Sequence, residues 1–459
     1  MKRSRKVWLG VGTYVVANMA GGAVALSTVE AAVPAYAEEG VELLSQSSVP
    51  DGGEGGEGGE GGEGGEGGEG GEGGEGAGQP TSVAPICRAV AVDGGGEGGE
   101  GGAVATQPAS TIPSIRTYVS QADQATAAAA QFRDRQILVD FVDQVIVPTY
   151  RLLGQEAESL SQAINALAAN PTDVTLHNAQ QAWLDARSPW EQSEAFAFGP
   201  AESLGYDAAL DDWPVNEVDV QAVLNSQDTL NADYLGNLQT TQKGFHTIEL
   251  LLFGNNNDRV LADFTPRDLT YLQLLGSAFQ DTANALLTSW TEGVDGYPPF
   301  RDEFVNAGNG STTYPTQQAA AEEMVQGILG ILDELANAKI GEPLAAQNPF
   351  LLESRFSNSS LRDFTYNLAS VRNTYLGQVA DAGTQGKGLS AFVAAVNPVL
   401  DAQIRQYLTA ANSTIASIPG PIEQSLCDSS ARVKITVARD SVLTLFTLFE
   451  QEVLPLVQD

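Results

Sequence analysis

The sequence predicts an all-α fold of two helical bundles, preceded by an acidic low-complexity segment, and three observations carry that prediction. Apolar residues recur at helical spacing from about Ser114 onward, while alternating β patterns are scarce. Helix starts with one grammar, a cap residue followed by proline and then an acid, occur three times. The first hundred residues hold runs of glycine and glutamate that have nothing to bury.

Residues 1–37 read as an export signal. Lys2, Arg3, Arg5 and Lys6 form a basic head, Val7 to Leu26 carries no charge, and Ala35-Tyr36-Ala37 offers a small-x-small cleavage site. The uncharged run is long enough to span a bilayer, so an uncleaved anchor is the alternative. Its glycines and Asn18 make a poor permanent helix and favour cleavage. Membrane attachment is expected only if this segment is retained.

Residues 38–113 are expected to form an acidic tether. Eight Gly-Gly-Glu triplets run from Gly52 to Glu75, and a shorter copy surrounds Glu97 and Glu100. A three-residue glycine period without proline excludes a collagen helix. Like charges without apolar side chains predict an extended, solvated chain. Thr81–Val92 is a mostly apolar island within it and carries Cys87. Cys87 and Cys427 are the only cysteines; in an oxidising compartment they are candidates for one disulfide, the alternative being two free thiols.

The whole chain has a formal charge of −35. Sixteen acidic and five basic residues lie before residue 102, so the remainder keeps 42 against 18, a formal −24. Such a field excludes nucleic acid as a partner and favours solubility and cations.

Two bundles are expected in the body, residues 114–300 and 301–459, with the boundary inside Asp295–Tyr314. In the first, Ile137, Leu138, Phe141, Val142, Val145 and Ile146 form an apolar stripe that Pro148 should kink or end. The cap–proline–acid starts are Asn170-Pro171-Thr172-Asp173, Ser188-Pro189-Trp190-Glu191 and Thr265-Pro266-Arg267-Asp268. In the second bundle, Leu361 to Asn367 is expected to open a helix. Val442, Leu445, Phe446, Phe449, Val453 and Leu456 form the last stripe.

The candidate chemistry centres on Gly244-Phe245-His246-Thr247-Ile248-Glu249, since the chain has only two histidines, His177 and His246. At i and i+3 of a helix an imidazole and a carboxylate share one face, about 5–6 Å apart at Cβ. Such a pair suits iron or zinc, and the same spacing occurs where a histidine is simply hydrogen-bonded to a glutamate. Trp183, Arg187, Trp190 and Glu194 follow helical spacing on another segment, with Pro189 expected to interrupt it and Glu191 to serve the cap. Glu194 is the candidate third ligand; the plainer reading is a Trp-lined core with an Arg–Glu pair. Asp211-Asp212-Trp213-Pro214 offers further oxygens in a turn. No second histidine adjoins Glu249, which argues against a standard zinc hydrolase. Phosphate loops, nucleophile elbows and reactive-cysteine contexts are absent from the sequence.

The Gly-x-His-x-x-Glu frame, with Val147-Pro148-Thr149-Tyr150, Trp183 to Pro200, Asp212-Trp213-Pro214 and Ser360 to Gly377, resembles the imelysin family of exported bacterial proteins. The resemblance spans roughly residues 115–459 and is to the iron-regulated cyanobacterial branch; the Gly-Gly-Glu tether is outside the family pattern. It implies two helical bundles related by a weak internal duplication, with the motif at their interface. It also implies a periplasmic or cell-envelope protein of iron uptake, whose partners are iron or an iron chelate and other uptake components at the membrane. Carried over, His246 and Glu249 are the site pair, with Gly244, Arg187, Trp190 and Glu194 around them. The expected ligand is a metal ion, iron, with zinc as the alternative. Two other readings stay open, a metal-dependent peptidase and a non-metal binding module in which the His–Glu pair is structural.

Overall fold

The computed structural model describes Cys87 and residues 131–458; the expected signal segment and the Gly/Glu tether lie outside them, Cys87 apart. The described body is all-α. Among the described residues, β structure is confined to Gln378–Val379 paired antiparallel with Thr384–Gln385, in the register Gln378 to Gln385.

The first group of helices is α1 (Arg135–Asp140), α2 (Val147–Ala169), α3 (Asp173–Glu191), α4 (Tyr206–Asp211), α5 (Gly244–Phe253) and α6 (Pro266–Thr291). Helix α2 lies between α3 and α6, and α5 packs on α3, α4 and α6. Later come α7 (Gln317–Asp333), α8 (Ser360–Leu376), α9 (Pro398–Ala416) and α10 (Ser429–Leu448). Among these, α9 packs on α8 and α10, and α7 on α8 and α10. The two groups meet where α8 lies along α3, and where α7 and α8 cover the 3₁₀ turn Glu194–Phe196. Their apolar faces merge into one continuous core within one compact unit.

Local chemistry explains the helix ends, with two corrections to the sequence reading. Thr265 caps α6 as expected, its side chain accepting from Asp268 N–H, with Pro266 in the first turn. The α3 cap is Thr172 rather than Asn170, because Thr172 and Thr175 close a reciprocal capping box. Ser188-Pro189 starts no helix. Pro189 instead sits inside the last turn of α3, which runs on to Glu191.

Pro148 does not end its helix either. The backbone widens into a π segment over Phe141–Ile146 and resumes as α2 at Val147. The same device recurs twice: a π segment at Glu334–Gly341 precedes Pro343, and one at Phe449–Val453 precedes Pro455. A proline lacks an N–H and crowds the carbonyl four residues back, so a locally widened register lets the chain continue where an α-helix would break.

Cys87 is disulfide-bonded to Cys427, and its N–H donates to the Gln347 carbonyl at 3.4 Å. No helix among the described residues is long and apolar enough to cross a membrane.

Candidate functional site

The site is assembled by a backbone contact before any side chain is involved. Gly244 opens α5 with φ +73°, and a Cβ placed there would lie 2.4 Å from the Leu210 carbonyl oxygen. Only a residue without a side chain permits that conformation and that approach together. The contact sets the first turn of α5 against the end of α4, so His246 faces Asp211. The indole N–H of Trp183 then fixes the turn by donating to the Phe245 carbonyl at 2.9 Å.

Four helices, a loop and a π segment converge here. Helix α3 supplies Arg187, Trp190 and Glu191, at positions i, i+3 and i+4 of one buried face. Asp211 ends α4, and α5 supplies His246 and Glu249. Glu353 and Ser357 come from the loop before α8, Lys339 from the second π segment, and Asp363 and Asn367 from α8. All of these are buried.

The imidazole is held on both edges. Its Nδ1 lies 3.1 Å from Glu249 Oε2, while Glu249 Oε1 accepts from the Ser357 N–H at 2.8 Å and the Ser357 hydroxyl at 2.7 Å. Its Nε2 lies 3.1 Å from Asp211 Oδ1 and 3.6 Å from Glu353 Oε1, without the alignment of a hydrogen bond to either. Asp211 Oδ2 accepts from the Trp190 indole at 2.6 Å. The Arg187 guanidinium pairs with Asp211 and Glu191, and reaches Glu353 at 3.3 Å and Asp363 at 3.4 Å. It lies over the Phe245 ring, 4.9 Å from the centroid. Lys339 Nζ sits 2.6 Å from Glu353 Oε2 and 3.3 Å from Glu191 Oε2. Asn367 donates to the same Glu191 oxygen at 2.6 Å.

Six carboxylates (Glu191, Glu194, Asp211, Glu249, Glu353 and Asp363) therefore share a buried region with two permanent cations, Arg187 and Lys339. Proton affinities redistribute accordingly. Burial alone would raise Asp211, but Arg187 and His246 hold it well below the usual carboxylate range. Glu353 is likewise lowered, burial being overcome by Lys339, His246 and Arg187. Asp363 moves the other way: burial, with Glu191 and Glu353 nearby and Arg187 and a Ser354 hydrogen bond opposing, pushes it up to about 8. Burial disfavours a charged His246, yet Asp211, Glu249 and Glu353 raise it well above the ordinary histidine value.

The expected ligand trio is only partly brought together. His246 and Glu249 do meet, but Glu249 is turned to the Nδ1 edge and to Ser357. Glu194 stands in a second group with Glu191 and Asp211; the group facing Nε2 is Asp211, His246 and Glu353. In each group the ligand atoms lie within 4.8 Å of one another. Gly244, Arg187 and Trp190 lie around the His246–Glu249 pair. Sequence reasoning missed Glu353, Lys339 and Asp363, and gave Glu191 to a cap. Two of them carried a signal, a single charge beside large apolar residues, as in Leu351-Leu352-Glu353 and Lys339-Ile340. The second histidine, His177, is exposed.

Comparison with known proteins agrees with this architecture. A family model described as imelysin matches residues 146–448. The chain is 36% identical over 323 residues to iron-regulated protein A of Synechococcus elongatus, covering 70% of this chain and 86% of that protein. Among solved structures, an iron-regulated protein A precursor from Parabacteroides distasonis superposes with a TM-score of 0.63 at 24% identity, covering 70% of this chain and 96% of that one. An imelysin-like protein from Psychrobacter arcticum gives 0.58 at 14% identity, covering 72% and 98%. At those identities the two structures speak for the fold alone.

Proposed function

The chain belongs to the imelysin family, and from that premise we propose that it is an exported protein of iron uptake that binds iron at the buried Asp211–His246–Glu353 cluster. The observation that carries this reading is the division of labour on His246. Glu249 takes the Nδ1 edge, the arrangement that orients a metal-binding histidine, and binding at Nε2 would release the proton that the surrounding carboxylates favour there. Nε2 is left facing two carboxylate oxygens without an aligned hydrogen bond.

The donor set fits the ion. Ligand atoms bonded at about 2.1 Å to a four- to six-coordinate ion stand about 3.0–3.4 Å apart. Of the separations from Nε2, 3.1 Å falls within that range and 3.6 Å lies slightly beyond it. Mixed imidazole and carboxylate donors suit iron. The acidic excess also favours a cation, because the carboxylates other than Asp363, which keeps its proton up to about 8, still outnumber Arg187 and Lys339.

Export to the periplasm or cell envelope is supported by the basic head and uncharged run of residues 1–37, and by a cysteine pair joined as a disulfide. A peptidase reading is disfavoured by burial. With Asp211, His246, Glu249 and Glu353 all enclosed, a peptide bond does not reach them in this conformation. The test is anaerobic titration of the purified protein with ferrous ion. Wild type should bind, and His246→Ala and Asp211→Asn should not. Variants that lose thermal stability but keep the wild-type iron response would sink the assignment in favour of a structural His–Glu pair.

A further inference from the structure

The two carboxylate oxygens that face His246 Nε2, Asp211 Oδ1 and Glu353 Oε1, are the same two oxygens that Arg187 engages through Nη1 and Nη2. The guanidinium thus lies across the mouth of the proposed donor set, bonded to both acidic members at once. Its own aliphatic and aromatic surroundings hold it there. It is fully buried, faces Phe245 and Trp183, and is also tied to Glu191 and Asp363 through Nη2.

We infer that Arg187 is the internal counter-cation of this site, a positioning residue that holds the iron ligands in place before the ion arrives and opposes its binding. The inference rests on the iron-binding reading of the cluster. Buried carboxylates without a cation are strongly unfavourable, so a metal site formed only of acids would be unstable until loaded. A guanidinium whose fork spans two carboxylate oxygens supplies that charge in the unloaded protein. The same charge then repels an incoming ion and competes for the same lone pairs. Lys339 does not share this role, since it engages Glu353 through Oε2, the oxygen turned away from His246. Glu191 and Asp363 are further partners of the same Nη2 that reaches Glu353, so Arg187 can release Asp211 and Glu353 without leaving the cluster.

The experiment is a comparison of ferrous affinity, by anaerobic titration, between wild type and Arg187→Gln. The variant should bind at least about tenfold more tightly, equivalent to about 1.4 kcal/mol. Because Arg187→Gln increases the buried negative excess, Arg187→Gln/Glu191→Gln, which removes one acid together with the cation it pairs with, provides a second variant, measured against Glu191→Gln alone. The same tightening is expected there. A merely structural arginine would lower the melting temperature of the iron-free protein and leave these affinity ratios near one. Tightening in neither comparison, or weaker binding, overturns the counter-cation role. If wild type binds through His246 but Arg187→Gln does not tighten, only this inference fails. If His246→Ala leaves iron binding intact, the site assignment itself fails.

Discussion

Replacing Lys339 with methionine isolates what a buried cation does here, because methionine keeps most of the stem and removes the charge. Lys339 is 1% exposed and lies between Glu353 Oε2 at 2.6 Å and Glu191 Oε2 at 3.3 Å. Breaking a buried pair by removing one partner costs about 3–5 kcal/mol, since it leaves uncompensated charge in a poorly polarisable surrounding. With an unfolding entropy of about 2.1 cal/mol/K per residue over a body of roughly 330 residues, each kcal/mol moves the midpoint about 1.5 °C. The variant should therefore melt about 4–7 °C lower, followed by helical circular dichroism in chelator at pH 7. The pH dependence has a definite sign. Burial disfavours charged Lys339, but Glu191 and Glu353 raise its proton affinity well above the ordinary value. Its stabilisation is present in full below the unfolded lysine pKa and is lost only as pH rises through the higher folded value. The deficit should therefore stay constant between pH 6 and 9. Glu353 is lowered in the folded state, so its contribution is present above the unfolded carboxylate pKa and fades as pH falls through the folded value. Wild type and variant should then converge in acid. Lys339→Met/Glu353→Gln should cost less than the two single changes summed, because it removes both members of the pair. A midpoint within 1 °C of wild type at pH 7 would refute the claim that this cation compensates buried acids.

Two further outcomes follow from the same geometry. Asp363 keeps a proton up to about 8 in the folded protein while its unfolded counterpart loses it near the ordinary carboxylate value of about 3.9, so wild-type stability should decline as pH rises across that window. Asp363→Asn should flatten the decline and melt higher than wild type at pH 9, and a variant less stable at every pH from 5 to 9 would contradict this. Gly244→Ala forces a left-handed backbone and a clash with the Leu210 carbonyl, which should cost about 1–3 kcal/mol in urea unfolding and weaken iron binding with it. A cost below about 0.5 kcal/mol would show that the close approach of α5 to α4 does not build the site.

What the sequence disclosed and what it withheld divide along a physical line. A pair on one helix is fixed by helical geometry alone, which is why His246–Glu249 could be read from spacing and is found joined at 3.1 Å. Arg187 and Trp190, three apart on α3, were legible for the same reason. Glu194, four residues beyond Trp190, was not, because α3 stops at Glu191 and the next residues turn into a 3₁₀ segment. A spacing rule fails once the helix that justifies it has ended. Glu353 and Lys339 belong to a loop and a π segment, whose positions depend on how the two groups of helices meet, and no local period records that. The charge balance was also out of reach. Net charge suggested only an acidic, soluble body, whereas the consequential fact is that two of its few cations are buried among six acids. Cations in a candidate cation site look like evidence against it. Yet an acidic pocket that must remain folded while empty needs positive charge of its own, and a guanidinium that engages the histidine-facing oxygens provides that charge where it can later be replaced.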